Sequence, residues 1–145
     1  MLRLSKKADY ALIALRHLAM RNAEGACSAA DIAETYGISA PLMAKVLQKL
    51  ARSGLLEARH GAAGGYTLAR DPGEITALDA IKAIDGPLSI TSCVTSRGQC
   101  EQTARCTVRE PLQRVNETIL QMLGNVTILQ MTLEARGIPV VELRA

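Results

Sequence analysis

The sequence contains no Phe and no Trp, and only three Tyr among its 145 residues. Without large aromatic rings, a folded core has to be built from Leu, Ile, Val, Met and Ala, and these side chains suit packed helices. Three tyrosines are also too few to form a stacking platform for single-stranded nucleic acid. The scarcity of aromatic residues therefore predicts a helical protein and argues against that class of binder.

Long hydrophobic runs are absent as well. The apolar stretch from Ala8 to Met20 is interrupted by Asp9, Arg16 and His17, and no signal-peptide cleavage site follows it. Because a segment so broken cannot span a bilayer, the sequence predicts a cytoplasmic protein with no membrane partner. In a reducing cytoplasm the four cysteines remain thiols, so metal binding is favoured over a disulfide framework.

The features of an enzyme are also missing. The chain has two histidines, no phosphate-binding loop and no nucleophile with a base placed beside it. We therefore expect that this protein is not an enzyme. A chain of 145 residues can hold one compact domain, or a small domain and an assembly element.

The charge of the chain is unevenly distributed. The net charge is +3, but residues 1–70 contain ten Lys or Arg against five Asp or Glu, a balance of +5. The remainder contains seven against nine, a balance of −2. A basic amino-terminal half indicates a polyanionic partner, and a merely solvated basic surface is the alternative interpretation.

Three helices are predicted in this basic half. The first covers residues 8–21, the second is capped by Ser28 and runs to Tyr36, and the third begins after Ser39. Gly37 makes the turn between the second and the third. Two short capped helices joined by such a turn, the second with exposed cations, are typical of helix-turn-helix DNA binding, although generic helical hairpins share the pattern.

A β-hairpin is predicted directly after these helices. Residues 55–59 can form one strand, residues 60–65 a glycine-rich turn and residues 66–69 the returning strand. Behind a recognition helix this hairpin is a wing, whose backbone approaches a minor groove or phosphates while Arg59 and His60 supply donors. An ordinary hairpin that stabilises a helical domain is the alternative, and the preceding helices favour the wing.

The rest of the chain is predicted to be helical around one loop. Thr76 caps a helix over residues 77–84, and a loop without periodicity runs from residue 88 to residue 106. Apolar residues then recur at spacings of four, three, four, three and four, at Val108, Leu112, Val115, Ile119, Met122 and Val126. This seam predicts packing against the same helix of a second subunit, with packing onto its own domain as the alternative. Residues 127–136 suggest a short helix and residues 137–145 a tail.

Three cysteines lie close together in the loop without periodicity, at Cys93, Cys100 and Cys106. A helix start signal, Thr107-Val108-Arg109-Glu110, follows, and the positive end of that helix favours the thiolate form that binds metal. Thiolates suit an iron–sulfur cluster or zinc far better than magnesium or calcium. Cys27 stands apart from the other three and is predicted to be a packing residue.

Several short motifs are spread along nearly the whole chain. They are Leu4-x-Lys6-x-x-Asp9-Tyr10-Ala11, Gly37-Ile38-Ser39, Gly54-Leu55, Gly61-x-x-Gly64-Gly65-Tyr66-x-Leu68, Ile75-Thr76, Asp85-Gly86-Pro87 and the three-cysteine loop. Together they resemble the iron–sulfur cluster regulator (IscR-like) family of winged-helix transcription factors. The chain looks closest to the branch that regulates the SUF operon of cluster assembly, because Asp85-Gly86-Pro87-Leu88 leads within six residues to the first cysteine and Val108-Arg109 follow Cys106.

The resemblance implies a homodimeric transcription factor whose affinity for double-stranded promoter DNA depends on a bound iron–sulfur cluster, either 2Fe–2S or 4Fe–4S. Cys93, Cys100 and Cys106 match the cysteines that ligate the cluster in the family. Three cysteines leave one coordination position to another ligand. Family members fill it with a histidine shortly after the third cysteine or with a carboxylate from the first helix of the partner subunit.

The fourth ligand is therefore a separate prediction. Arg109 stands three residues after Cys106, so the histidine version is not available. Asp9 aligns with the family's partner-subunit carboxylate and is the candidate ligand. The alternatives are that Asp9 is only a helix amino-terminal residue favoured by the dipole, or that Glu101 or Glu110 takes the position.

The predicted DNA-binding residues come from the helices, the wing and the resemblance. They are Ser28, Ser39, Pro41, Leu42, Lys45, Gln48, Lys49, Arg59, His60, Gly61, Gly64 and Gly65. In the recognition helix, base readout is assigned to Ser39, Lys45 and Gln48, together with apolar contact to thymine methyl groups, because the helix offers few other donors. Lys49 is assigned to phosphate. The family usually has Arg directly before the first wing glycine, where this chain has His60.

Taken as a whole, the sequence predicts a mainly α fold, a winged helix-turn-helix with a two-stranded wing and a long C-terminal dimerisation helix. The predicted divisions are residues 1–86 for DNA binding, 87–107 for the cluster-binding loop and 108–145 for dimerisation and the C-terminal segment. The predicted function is an iron–sulfur-sensing repressor of SUF genes. A nitric-oxide or redox-sensing repressor of the same family, and a zinc-stabilised DNA-binding or protein-contact module, are the alternatives.

Overall fold

The computed structural model describes residues 3–91 and 100–133. Its elements are α1 (Lys6–Met20), α2 (Ala29–Tyr36), α3 (Ala40–Arg52), β1 (Leu56–Arg59), β2 (Gly65–Leu68), α4 (Ala77–Asp85), α5 (Arg109–Asn125) and α6 (Ile128–Thr132), with a 3-10 turn at Asn22–Glu24. The predicted mainly helical fold with one two-stranded antiparallel sheet is confirmed. Within the described ranges, no helix is long and apolar enough to cross a membrane.

The helix ends follow local capping chemistry. α1 begins two residues earlier than predicted because the Ser5 hydroxyl oxygen accepts a hydrogen bond from the Ala8 amide at 3.1 Å. The Ser28 oxygen accepts from the Asp31 amide at 3.1 Å, and α2 ends at Gly37, whose φ of 64° lies in the left-handed region. Ser39 is the N-cap residue of α3, but its side chain makes no capping hydrogen bond.

The core is aliphatic, as the composition predicts. Its largest fully buried side chains come from five of the helices and one connecting segment, at Leu15, Ile32, Met43, Val46, Leu47, Leu50, Ile75, Ile81 and Ile128. Tyr10 and Tyr66 only pack against its edge. Cys27 is buried in the same cluster, so its prediction as a packing residue is confirmed.

The hairpin is fastened to the start of α2 by backbone hydrogen bonds. β1 and β2 pair antiparallel from Leu56–Leu68 to Arg59–Gly65. The Tyr66 amide donates to the Cys27 carbonyl at 2.8 Å, and the Cys27 amide donates to the Tyr66 carbonyl at 3.1 Å. At Gly65, a Cβ atom would lie 2.3 Å from the Cys27 carbonyl oxygen, and φ is +149°. Only glycine lets the strand approach this closely.

The chain after α5 returns to the beginning of α4. The Ala77 amide donates to the Val126 carbonyl and the Ile128 amide to the Ile75 carbonyl, both at 2.8 Å. Arg16 of α1 donates through Nε to a carbonyl of α6 at 2.8 Å. α6 covers part of the predicted helix 127–136, whereas residues 134–136 and the predicted tail 137–145 lie outside the described residues.

The returning segment bears on the predicted division of the chain. Ile128 is fully buried and belongs to the same core as α1 and α3. Part of the third predicted division therefore packs into the core formed by the first, and the assignment of residues 108–145 to dimerisation stays a prediction.

Candidate nucleic-acid interface and cysteine loop

One face of α3 points away from the core. Pro41, Lys45, Gln48 and Arg52 are all exposed, and their spacings of four, three and four residues place them along one side of the helix. The opposite side is buried and consists of Met43, Val46, Leu47 and Leu50. The apolar side fixes the helix in the core, so the polar side is presented to solvent, where another molecule can reach it.

The residues at the starts of α2 and α3 differ in their bonding. The Ser39 hydroxyl has no hydrogen-bond partner within the described residues and is exposed, so it is free to bond to another molecule. The Ser28 oxygen already accepts the Asp31 amide, but its hydroxyl hydrogen can still be donated. Both lie at helix amino termini, where the dipole favours an anion such as phosphate.

Lys49 has a partner inside the protein. Its Nζ atom donates to the Ile84 carbonyl in the last turn of α4, at 3.3 Å. A contact with DNA phosphate has to compete with this bond, whereas Lys45 makes no ion pair within the described part of the chain and is exposed. The phosphate role assigned to Lys49 stays a prediction.

The wing presents cationic and small residues to solvent. Arg59 pairs with Glu57 at 3.3 Å, and the two side chains are 60% and 56% exposed. Such an exposed pair contributes about 0–1 kcal/mol, so Arg59 can exchange it for a phosphate. His60 and Gly61 are exposed at the turn. A Cβ at Gly64 would lie 2.6 Å from the Arg59 carbonyl oxygen, so the folding of the turn itself requires this glycine.

Two of the three loop cysteines are described, and both are free and half-buried. Cys100 begins a short turn in which its carbonyl accepts from the Thr103 amide at 3.1 Å and the Thr103 hydroxyl at 2.7 Å. Cys106 lies two residues before the N-cap of α5. Cys93 lies outside the described residues. Within residues 3–91 and 100–133, no three His, Cys, Asp or Glu side chains gather at a possible metal site.

The start of α5 differs from the prediction. Val108, not Thr107, is the N-cap residue, and it provides no side-chain cap. An open hollow of about 780 Å³ lies beside Cys106 at this end of the helix. Glu110, an alternative fourth ligand, lines this hollow and is paired with Arg114 at 2.6 Å. The pairing occupies one oxygen of that carboxylate.

Asp9 is exposed in the first turn of α1. Its carboxylate makes no hydrogen bond or ion pair with any described side chain, although the amide of the same residue donates to the Ser5 carbonyl at 3.1 Å. The structure does not bring Asp9 together with Cys100 and Cys106 within the described part of one chain. The carboxylate is therefore available to another molecule, and its role as a ligand stays a prediction.

The apolar seam of α5 divides into two lines. Val108, Val115 and Met122 are 53%, 48% and 41% exposed and lie seven residues apart. The alternate seam residues Leu112, Ile119 and Val126 are partly buried. One line is partly buried, as packing onto the chain's own domain predicts, and the other has no cover within the described chain, so packing against a second subunit stays a prediction.

Two buried polar residues were not predicted to be functional. Asn116 is 4% exposed and accepts a hydrogen bond from the Ile90 amide at 3.0 Å. In the sequence its only signal is a polar residue between Leu112 and Ile119, on a side of α5 that is otherwise apolar. His17 is 8% exposed, and its Nδ1 lies 2.9 Å from the Tyr36 hydroxyl. Burial lowers the pKa of His17, and the nearby charge of Arg21 lowers it further.

Comparison with known proteins places this architecture among transcriptional regulators. The profile of Rrf2, described as an iron-dependent transcriptional regulator, matches residues 4–134. The HTH-type transcriptional regulator IscR of Xenorhabdus nematophila is 32% identical over 130 residues, which cover 90% of this chain and 79% of the relative.

Two solved structures share the fold. The structure of CymR, the global cysteine regulator of B. subtilis, superimposes with a TM-score of 0.75 at 30% identity and covers 91% of this chain and 97% of its own. IscR of T. potens has a TM-score of 0.73 at 28% identity, with 97% and 93% covered. Both superpositions cover more than nine-tenths of this chain, so the similarity extends beyond the helix-turn-helix.

Proposed function

The chain belongs to the Rrf2 family of iron-dependent transcriptional regulators, and on that premise we propose that it is a cytoplasmic, homodimeric repressor that senses an iron–sulfur cluster and controls SUF genes. Its relatives are DNA-binding regulators, so the protein is a regulator of transcription and not an enzyme. The observation that carries the sensing role is the pair of free, half-buried thiols at Cys100 and Cys106, immediately before α5.

In the proposed complex, α3 lies in the major groove of promoter DNA. Lys45 and Gln48 contact base edges, Ser39 donates from the start of the helix, and Pro41 with Leu42 meets thymine methyl groups. The exposure of the side that carries Pro41, Lys45 and Gln48 supports this placement, since its opposite side is committed to the core.

The remaining proposed contacts are to the DNA backbone and the minor groove. Ser28 donates to phosphate from the start of α2, and Arg59, His60 and the Gly61 backbone approach the minor groove. Gly64 and Gly65 shape the wing from within, as the close approach of neighbouring backbone atoms indicates.

The proposed cluster site consists of Cys93, Cys100 and Cys106 with Asp9 of the second subunit. Thiolates are the ligands that iron–sulfur clusters prefer, and both described cysteines are thiols that are reachable from solvent. When bound, the cluster supplies a redox-sensitive centre that can be gained or lost, and an oxygen ligand makes it easier to lose. An unpaired, exposed carboxylate at Asp9 fits that role.

A second copy of the chain is the proposed cover of the exposed line on α5. Val108, Val115 and Met122 recur every seven residues, which is the period of two helices packed along a seam. Leu129 and Leu133, which are 43% and 59% exposed, add apolar surface beyond the end of that helix. Dimerisation also brings Asp9 of one subunit to the site of the other in this proposal.

The test is the iron and acid-labile sulfide content of protein purified without oxygen, measured for the wild type and single Ala variants. Cys93→Ala, Cys100→Ala and Cys106→Ala should each lose iron and visible absorbance, whereas Cys27→Ala should retain both because Cys27 is buried in the core. Asp9→Ala should release the cluster faster without unfolding the metal-free dimer. Zinc in place of iron would favour the zinc-stabilised alternative, since thiolates also bind zinc.

A further inference from the structure

The segment that leaves α4 is held at both ends by side chains of other helices. Residues 84–90, which we call the connector, lead from the last turn of α4 toward the cysteine loop. At its first residue, the Ile84 carbonyl accepts from Lys49 of α3 at 3.3 Å. At its last residue, the Ile90 amide donates to Oδ1 of Asn116 of α5 at 3.0 Å. The connector therefore joins the recognition helix to the helix that follows the cysteines.

Asn116 is buried and bonded to the end of the connector. It is the one buried residue of α5, a helix that is described over its full length. A buried amide is costly unless it is hydrogen-bonded, and an apolar side chain would fill the same site without that cost. Its Oδ1 instead satisfies a main-chain donor at the entry to the cysteine loop.

Lys49 fixes the other end by a different chemistry. A cation that bonds to the last carbonyls of a helix is favoured by the negative end of the helix dipole. The bond links α3 directly to the last turn of α4. In the same turn, Asp85 accepts from the Ser5 hydroxyl at 2.7 Å, so the end of α4 is also tied to the start of α1.

The connector is restrained at two places between its ends. The ring of Pro87 fixes the φ angle of that residue. Near the far end, the Ser89 hydroxyl donates to the Thr91 carbonyl at 2.7 Å, and the Thr91 amide donates to the Ser89 hydroxyl oxygen at 3.3 Å. These restraints limit the torsions through which a shift at Ile90 could be absorbed before it reaches Ile84.

We propose that Asn116 and Lys49 are positioning residues that couple the state of the cysteine loop to the position of α3. The inference rests on the proposed function, since it concerns regulation of the same site. A change in the loop shifts Ile90 against Asn116, the connector transmits the shift to the end of α4, and Lys49 passes it to α3. Such a link gives a coupling free energy between the cysteine loop and the DNA-binding surface. Because coupling is reciprocal, DNA binding must also change the environment of Ile90.

The first experiment measures the ratio of DNA affinities of cluster-loaded and cluster-free protein on a duplex selected from random sequence. Coupled sites typically give ratios of about 5- to 150-fold. Asn116→Ala should bring the ratio toward one while it leaves iron content and the affinity of the cluster-free form near the wild-type values. Asn116→Asp keeps an acceptor oxygen at the same place and should retain the wild-type ratio.

The second experiment needs no cluster. In metal-free wild type, a saturating amount of the selected duplex should change the hydrogen-exchange rate of the Ile90 amide, followed by NMR. Lys49→Met keeps the apolar stem without the donor and should abolish this response, whereas Lys49→Arg should preserve it. If Lys49 instead contacts phosphate, Lys49→Met lowers the salt dependence of binding by about one unit and leaves the response of Ile90 intact.

The two experiments separate the possible failures. If the DNA affinity of the wild type is the same with and without the cluster, the proposed function is overturned. The exchange rate of the Ile90 amide then still shows whether DNA binding affects the connector. A wild type that responds to the cluster, with an equal response in Asn116→Ala, overturns the coupling inference alone. An Asn116→Ala variant that does not fold leaves the decision to Lys49→Met, for which an unchanged Ile90 response overturns the inference.

Discussion

His17 shows how a single buried side chain sets a property of the whole protein. Its Nδ1 lies 2.9 Å from the Tyr36 hydroxyl, whereas its Nε2 is buried without a hydrogen-bond partner among the described residues. The ring has no second acceptor to stabilise a second proton, and burial disfavours the charged form. The pKa of His17 is accordingly lowered from its ordinary 6.5, first by burial and then by the charge of Arg21.

This shift predicts a loss of stability in mild acid. Below pH 6.5, the ordinary value for histidine, the unfolded chain binds a proton that folded His17 resists. The contribution is therefore fully present above that pH and declines as the pH falls toward the lower folded pKa. The free energy of unfolding in urea should fall between pH 7.5 and pH 5.5, and His17→Leu should reduce that slope. Identical slopes for both proteins would exclude His17 as the cause.

Gly65 provides a second prediction at the scale of one residue. A Cβ there would lie 2.3 Å from the Cys27 carbonyl oxygen, whereas a Cβ at Gly61 would meet nothing within 4 Å. Both glycines have positive φ, so Gly61→Ala is a matched control for backbone strain alone. Gly65→Ala should lower the free energy of unfolding by roughly 1–3 kcal/mol more than Gly61→Ala. Equal losses in urea unfolding would contradict the proposed packing.

The sequence predicts a glycine-rich turn in this region, but it does not reveal why glycine is required at positions 64 and 65. The motif at residues 61–65 indicated a wing whose backbone approaches DNA. The approach to DNA stays a prediction, and the structure shows a separate packing requirement: a Cβ at Gly65 would meet Cys27, nearly forty positions earlier in the chain, and a Cβ at Gly64 would meet the neighbouring carbonyl of Arg59. Close backbone approach between distant segments has no local signature in sequence.

At the scale of elements, the helix boundaries were largely predictable because caps and glycines are local signals. The predicted bounds of α2 agree with the structure, and those of α4 differ by one residue. The predicted helix start signal at Thr107 was wrong, because Val108 is the N-cap residue of α5. The spacing of the apolar residues predicted a seam along α5. Heptad spacing alone cannot tell which of those residues another element of the same chain will cover.

The exposed side of α3 predicts a base-specific contact by Lys45. If Lys45 meets a base edge, Lys45→Ala should weaken binding to the selected duplex by roughly 1–3 kcal/mol and have less effect on random duplex. Lys82→Ala is the control, because it removes the same charge from an exposed position on α4 outside the proposed interface. Fluorescence anisotropy titrations at several salt concentrations measure both. Equal weakening on both duplexes would reassign Lys45 to phosphate.

The exposed line on α5 predicts a dimer that one charge can disrupt. Val115 is 48% exposed in the single chain, so Val115→Lys should fold but place an unpaired cation in the seam. Ile119 is a poorer site for this test because it lines an apolar hollow of about 200 Å³ with Leu4 and Leu88. Sedimentation should show monomeric Val115→Lys and dimeric Gln121→Lys, whose position is exposed and polar. A monomeric wild-type protein without metal would contradict the proposed seam.

At the scale of the whole molecule, the last described helices are built into the body of the protein. Ile128 lies in the core, and main-chain bonds join residues 75–77 to residues 126–128. Hydrogen bonds between distant main-chain groups do not depend on particular side chains, so this return could not be predicted from local sequence signals. In the same architecture, α5, which follows the cysteines, contacts α4. Lys49 of α3 donates a hydrogen bond to the last turn of α4.

A cluster held by the loop cysteines should change DNA binding, and a single titration can measure that change. Protein purified without oxygen is titrated with a duplex selected from random sequence, before and after removal of its iron, at fixed salt concentration. Cluster sensing predicts brown, iron- and sulfide-containing protein whose affinity for that duplex changes by about 5- to 150-fold when the iron is removed, with little change for random duplex. Equal affinity of the loaded and emptied forms, or no preference over random duplex in either form, would contradict it.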